Sequence, residues 1–136
     1  MAKLTITKTR EVEVNTLRVD AEVRYWEDAD VNGKEDTDGT LIPCRKGDNW
    51  MPEINLDTGT ILNWPLGTIA DVHYKCCDAG IYRLADPDGK IIKEIDGYVP
   101  SILYPEENGC GDYIIMKIDA KGKIDKWKVD LSDFEK

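Results

Sequence analysis

Four cysteines and one histidine are the residues from which this sequence could build a metal centre: Cys44, Cys76, Cys77, Cys110 and His73. Structural zinc usually draws thiolates in pairs such as C-x2-C, because that spacing lets two loop-borne sulfurs converge on one ion. The sequence has no such pair. Cys76 and Cys77 are adjacent, and neighbours along a strand point to opposite faces. The pattern predicts buried or incidental thiols, with Cys76 on the core side beside Val72 and Tyr74. No metal and no other cofactor is expected.

A second cation chemistry is written into residues 28–39. Asp28-Ala29-Asp30-Val31-Asn32-Gly33 fits the first half of a D-x-[DN]-x-[DN]-G calcium loop, with Asp36 at the ninth position. The twelfth position needs a bidentate Glu and holds Gly39. No helical pattern flanks it. The better reading is an acidic hairpin loop with Asn32-Gly33 and Asp38-Gly39 as turn formers.

Covalent catalysis needs a nucleophile beside a base. Ser occurs at 101 and 132, neither inside a G-x-S-x-G elbow. His73 with Cys77 or Cys110 is the remaining pair, and nothing local marks it. No phosphate-binding glycine motif occurs; Gly109-Cys110-Gly111 reads as a flexible turn. The sequence therefore points away from an enzyme.

Charge is the feature that stands out. The chain has 136 residues, 18 basic and 27 acidic, for a formal net charge of −9. That argues against binding nucleic acid or an anionic membrane directly, since both require basic patches. Six carboxylates fall between positions 27 and 38 (Glu27, Asp28, Asp30, Glu35, Asp36 and Asp38) against Lys34 alone. Trp26 precedes them. By alternation Trp26 sits on the wet side of its strand, and Trp50 follows the turn residues Gly47-Asp48-Asn49 at a possible rim. Tyr98 and Tyr104 are aromatic anchors in a Gly- and Pro-rich stretch, 96–111, that reads as a long connection. The candidate partner-binding set is therefore Trp26, Glu27, Asp28, Asp30, Glu35, Asp36, Asp38, Trp50, Tyr98 and Tyr104.

The elements that would position these residues are strands. Ile54 and Leu56 against Asn55 give a period of two; Asp57-Thr58-Gly59 is turn chemistry; Thr60 to Trp64 runs back and Pro65 stops it. Residues 115–127 repeat that pattern through Asp119, Gly122 and Trp127. Residues 82–91 are a looser copy, with Asp86 and Gly89 and no Trp. Leu17, Val19, Ala21, Val23 and Tyr25 alternate with Arg18, Asp20, Glu22 and Arg24 as a central amphipathic strand. Leu4 and Ile6 alternate with Thr5, Thr7 and Thr9, and Val12 and Val14 continue the period. Residues 68–77 alternate as well. Residues 131–134 fit one short terminal turn. No window holds a helical period free of Gly or Pro. The expected fold is all-β: one domain over 1–136, an antiparallel sandwich or open barrel built from hairpins, with little or no helix. No run of about 18 apolar residues is present to span a membrane. The N-terminal stretch lacks the apolar region of a signal peptide. A reducing, cytoplasmic setting is expected.

Arg24-Tyr25-Trp26-Glu27-Asp28, Leu56-Asp57-Thr58-Gly59 with Asn63-Trp64-Pro65, and Gly111-Asp112-Tyr113-Ile114-Ile115-Met116 resemble small uncharacterised proteins of phages and prophages. The resemblance spans roughly residues 26–133 and transfers no functional residue. It implies an accessory product in a bacterial host cell, similar to inhibitors of host defence such as anti-CRISPR proteins. The expected partner is a host protein or ribonucleoprotein complex with a basic surface, met by protein–protein contact, with mimicry of nucleic-acid charge as one form of it. A monomer or homodimer is expected. The alternatives are a small virion or tail accessory module, and a ligand-sequestering or Cys/His-dependent enzyme.

Overall fold

The computed structural model describes residues 2–7, 10–22, 25–26, 30–31, 34–35, 49–64, 67–75, 79–103, 109–110 and 113–135. At 7, 10, 22, 25–26, 30–31, 34–35, 49, 73–75, 109–110 and 113–114 it describes the backbone alone. The described residues are mostly strand, in antiparallel sheets that do not close into a barrel, with no helix of seven residues or more. This is the all-β fold that the alternation predicts.

β1 (Ala2–Thr7) and β2 (Arg10–Val14) form a two-stranded ribbon, with Leu4 opposite Val12 and Ala2 opposite Val14. The continuous alternation through Val14 read as one strand; it is a hairpin. The period survives because the register returns Leu4 and Val14 to the core. The two residues between the strands, Lys8-Thr9, carry none of the Gly, Asn or Pro that mark a turn.

The first of two six-stranded sheets runs in the order β12 (Ile91–Tyr98), β11 (Ala79–Ala85), β3 (Thr16–Glu22), β8 (Glu53–Asn55), β9 (Thr60–Ile61). Its centre is β3, where Leu17, Val19 and Ala21 are buried while Arg18 and Asp20 are half-exposed. β11 lies on one side of it; β8 and β7 (Asn49–Trp50) lie on the other. β9 and β12 end the sheet. The second sheet is built on β10 (Thr68–Lys75), whose Ala70 and Val72 face the core. β14 (Tyr113–Ile118) runs along one side of β10, followed outward by β13 (Gly109–Cys110). The other side carries β4 (Tyr25–Trp26) and β5 (Asp30–Val31), and β6 (Lys34–Glu35) pairs with β5. Tyr25 and Trp26 thus belong to the second sheet and do not prolong β3. One continuous cluster of buried side chains joins both sheets and the β1–β2 ribbon, from Leu4 to Phe134.

The stretch expected as a long connection begins as strand: Asp96, Gly97 and Tyr98 complete β12. Ile102 and Leu103 then form a short 3₁₀ turn and are buried. A second 3₁₀ turn, Ser132–Phe134, closes the chain where one was expected and buries Phe134.

Two of the hairpin copies grip each other. Gly59 and Gly122 both have positive φ, 70° and 82°. The Trp127 ring lies where a Cβ on Gly59 would sit, and Trp64 Cβ would be 2.8 Å from a Cβ on Gly122. Each hairpin's Trp therefore covers the other hairpin's turn glycine. The backbone repeats the exchange: Ile61 N–H donates to Gly122 O at 2.8 Å, and Ile124 N–H donates to Gly59 O at 2.9 Å. Both indoles are satisfied, Trp64 Nε1 donating to Thr68 O at 2.8 Å and Trp127 Nε1 to Leu56 O at 2.9 Å. A buried N–H with a partner adds stability instead of costing it.

Candidate functional site

Within the acidic segment, β5 and β6 pair with each other and β5 is fastened to the second sheet. Asp30 pairs with Glu35 and Val31 with Lys34, and the sequence between the two strands, Asn-Gly, is the strongest short hairpin signal. On its other side β5 pairs with β10, Val31 opposite Thr68 and Asp30 opposite Ile69. Three positions further along β10, Trp26 is opposite Val72 and Tyr25 opposite His73. The backbone thus brings Trp26, Asp30 and Glu35 to one side of one strand. Glu27, Asp28, Asp36, Asp38 and Tyr104 lie outside the described residues, as do Cys44, Cys76 and Cys77. Of His73 and Cys110 only the backbone is described, so the zinc, calcium and Cys–His readings rest on positions the structure does not reach. Among the described residues no three His, Cys, Asp or Glu side chains converge as a metal site.

Two candidate aromatics are placed with their side chains, and they differ. Trp50 is fully buried, with Ala21 opposite it on β3. The rim position expected for it is corrected to a core position. The polar residues before Trp50 marked a turn, but pairing against the central strand turns the indole inward. Tyr98 is 69% exposed at the end of β12, on the first sheet. It is an accessible aromatic, apart from the acidic hairpin in topology.

The outer face of the first sheet carries charge that strand patterns alone could not align. Register places Glu53, Arg18, Arg83 and Glu94 in one row across four strands. Arg83 Nε donates to Glu94 Oε2 at 2.7 Å, while Arg18 Nε stands 3.9 Å from Glu53 Oε1, beyond hydrogen-bond reach. The next row is Asp20, Ile81 and Asp96, two carboxylates flanking a half-buried isoleucine. The first row balances its charge and the second does not. Alternation marked Arg18 and Asp20 as sharing a face; only the β11 register brings Asp96 beside them.

The class these observations define is an acidic, all-β protein with charge displayed on strands. No helix among the described residues is long and apolar enough to cross a membrane. Comparison of the chain with protein-family models, with curated proteins and with solved structures found no match in any of the three.

Proposed function

We propose that this protein is an acidic binding protein that docks on the basic surface of a host protein or ribonucleoprotein complex. In the fuller reading it is a phage-encoded inhibitor of host defence, acting in the bacterial cytoplasm by protein–protein contact and without catalysis. The observation that carries the reading is the acidic segment itself. Of the six carboxylates between positions 27 and 38, Asp30 and Glu35 pair with each other on a hairpin ladder whose backbone is held to β10 on the same side as Trp26. Pinning supports binding because less chain entropy is lost when a partner arrives. Complementary charge raises the encounter rate and selects the partner. Aromatic anchors near such a patch are the side chains that most often set affinity.

The test is capture from bacterial lysate by the parent protein and by the Asp28→Lys, Asp30→Lys, Asp36→Lys triple variant, with mass spectrometry of what is retained. A basic partner held by the parent at low salt and lost by the triple variant is expected. Retention of the same partner by both would move the interface away from this hairpin.

A further inference from the structure

Two rows that cross β10 differ in burial. Val72 is fully buried; Met116 of β14 stands opposite it on one side, also buried, and Trp26 of β4 on the other. Ile69 is 55% exposed; Asp30 of β5 stands opposite it, and Glu35 of β6 stands opposite Asp30. Opposed residues of an antiparallel pair share a face of the sheet. The register therefore puts position 26 in a row with two buried residues, and positions 30 and 35 in a row with an exposed one. Among the described residues, Ile69 is the one exposed large apolar side chain of the second sheet. A lone exposed aliphatic is ordinary on a protein surface. What marks Ile69 is its place, in one row with two of the six carboxylates of residues 27–38, a segment whose only cation is Lys34.

We propose that Ile69 is the apolar anchor of the partner-binding surface, taking an aliphatic side chain that the partner presents among basic ones. This rests on the partner reading above and adds to it the chemistry of the contact. Exposed ion pairs contribute little affinity by themselves; they act on encounter and on the choice of partner. Affinity comes from a few side chains that lose their water at the centre of the interface, ringed by polar contacts. An aliphatic side chain with acidic positions beside it in the same row fits that arrangement.

On the β14 side, Ile69 borders a groove of about 440 Å³. Three aspartates and three lysines line it, and Asp71 and Lys117 among them stand 3.6 Å apart, so the groove adds no sign of its own. It gives an incoming aliphatic side chain room beside Ile69. The 27–38 segment supplies the sign, and it selects a basic protein segment over an acidic one or a nucleic-acid backbone. A second copy of this chain is disfavoured in the same way, because each copy carries −9.

The test is a nuclear magnetic resonance titration at low salt with two capped five-residue peptides. One has four lysines about a central leucine; the other has serine in place of the leucine. The leucine peptide should shift the Ile69 methyl signals and bind the parent about tenfold more tightly than the serine peptide, the order expected for covering one aliphatic side chain. Ile69→Ala should abolish that advantage and leave the serine peptide's affinity unchanged. The Asp28→Lys, Asp30→Lys, Asp36→Lys variant should weaken both peptides alike and keep the advantage. The two readings can thus fail separately. The anchor is overturned if the peptides bind the parent equally, or if the leucine advantage survives in Ile69→Ala. It is also overturned if the leucine-dependent shifts gather at the exposed Met51 and Leu62 and spare Ile69. Each of those results leaves the acidic segment as the docking site. If the triple variant held both peptides as tightly as the parent, the partner reading itself would fall. Concentration-dependent shifts of Ile69 without peptide would assign the face to a second copy and overturn the anchor. The shift map of the parent decides the matter even where a variant does not fold.

Discussion

The turn at residues 86–90 and the turn at residues 119–123 are built alike and used differently. In each, an Asp side chain accepts two backbone N–H groups, from Asp88 and Lys90 in one and from Lys121 and Lys123 in the other. In each, the Gly N–H donates back to the Asp carbonyl at 2.9 Å, and the Gly has positive φ. Around Gly89 there is room: the nearest atom to an added Cβ is Arg18 Nη2 at 3.8 Å. Around Gly122 there is none, because Trp64 and the Ile61 carbonyl close on it. The same local chemistry thus makes a solvent-exposed hairpin tip in one place and half of an interlock in the other. What differs is the presence of a tryptophan five residues after the glycine, Trp127 after Gly122 and Trp64 after Gly59, with none after Gly89.

Alanine substitutions break the comparison most directly. Gly59→Ala and Gly122→Ala must accept both a left-handed backbone, roughly 1–2 kcal/mol for a residue with a Cβ, and displacement of a buried indole. Each should cost more than ~3 kcal/mol by chemical denaturation, given that losing the packing of a large aromatic side chain costs on the order of 3–5. Gly89→Ala should cost only the backbone part, ~1–2 kcal/mol. Equal losses at Gly89 and Gly122 would mean that the interlock adds nothing. A finer cut is Trp64→Phe and Trp127→Phe, which keep an aromatic ring and remove the N–H to Thr68 O or Leu56 O. Each should lose ~1–3 kcal/mol, the cost of leaving a buried carbonyl unpaired.

The smallest expected effect lies beyond the interlock, at Asp130. Ser132 Oγ–H donates to Asp130 Oδ1 at 2.7 Å and Ser132 N–H at 3.0 Å, and these bonds hold the Asp130 carboxyl below its usual value. The folded state favours the ionised form, so this contribution is present above the ordinary carboxylate range and fades as pH falls through and below it. Asp130→Asn should lower stability slightly at neutral pH, with the difference from the parent shrinking as pH falls through the carboxylate range, read from melting temperature against pH.

Much of this fold is legible in the sequence because period two, Gly turns and Asp turn caps are local signals. The central strand, the three Gly turns, the 131–134 turn and the absence of long helices follow from them. Partner choice is not local. Nothing in Leu4 to Val14 named a hairpin, since the sequence between the strands lacks Gly, Asn and Pro; the charged Lys8 and Arg10, which interrupt the apolar period between Ile6 and Val12, were the one signal of a break. The copies also align differently than their spelling implies. Asn55, rather than Asp57, caps the first turn, accepting from Asp57 and Thr58 N–H, and that loop is one residue longer. The candidate site divides the same way. Charge and aromatics could be counted from the sequence, but burial of Trp50, exposure of Tyr98 and the Asp20–Ile81–Asp96 row depend on which strands meet.

The interlock and the acidic hairpin are assigned separate work, stability to the first and partner contact to the second. One paired measurement tests that division: melting temperature and partner affinity of the Asp28→Lys, Asp30→Lys, Asp36→Lys protein beside the parent, at low and high salt. Charge swaps away from a core usually change stability by no more than ~0.5 kcal/mol, so on this account melting should hardly move. Affinity should fall at least tenfold, ~1.4 kcal/mol, and the parent's affinity should weaken with salt as charges are screened beyond ~10 Å at 0.1 M. Unchanged affinity in the triple variant, or a collapse of melting that accounts for the lost binding, would contradict the division.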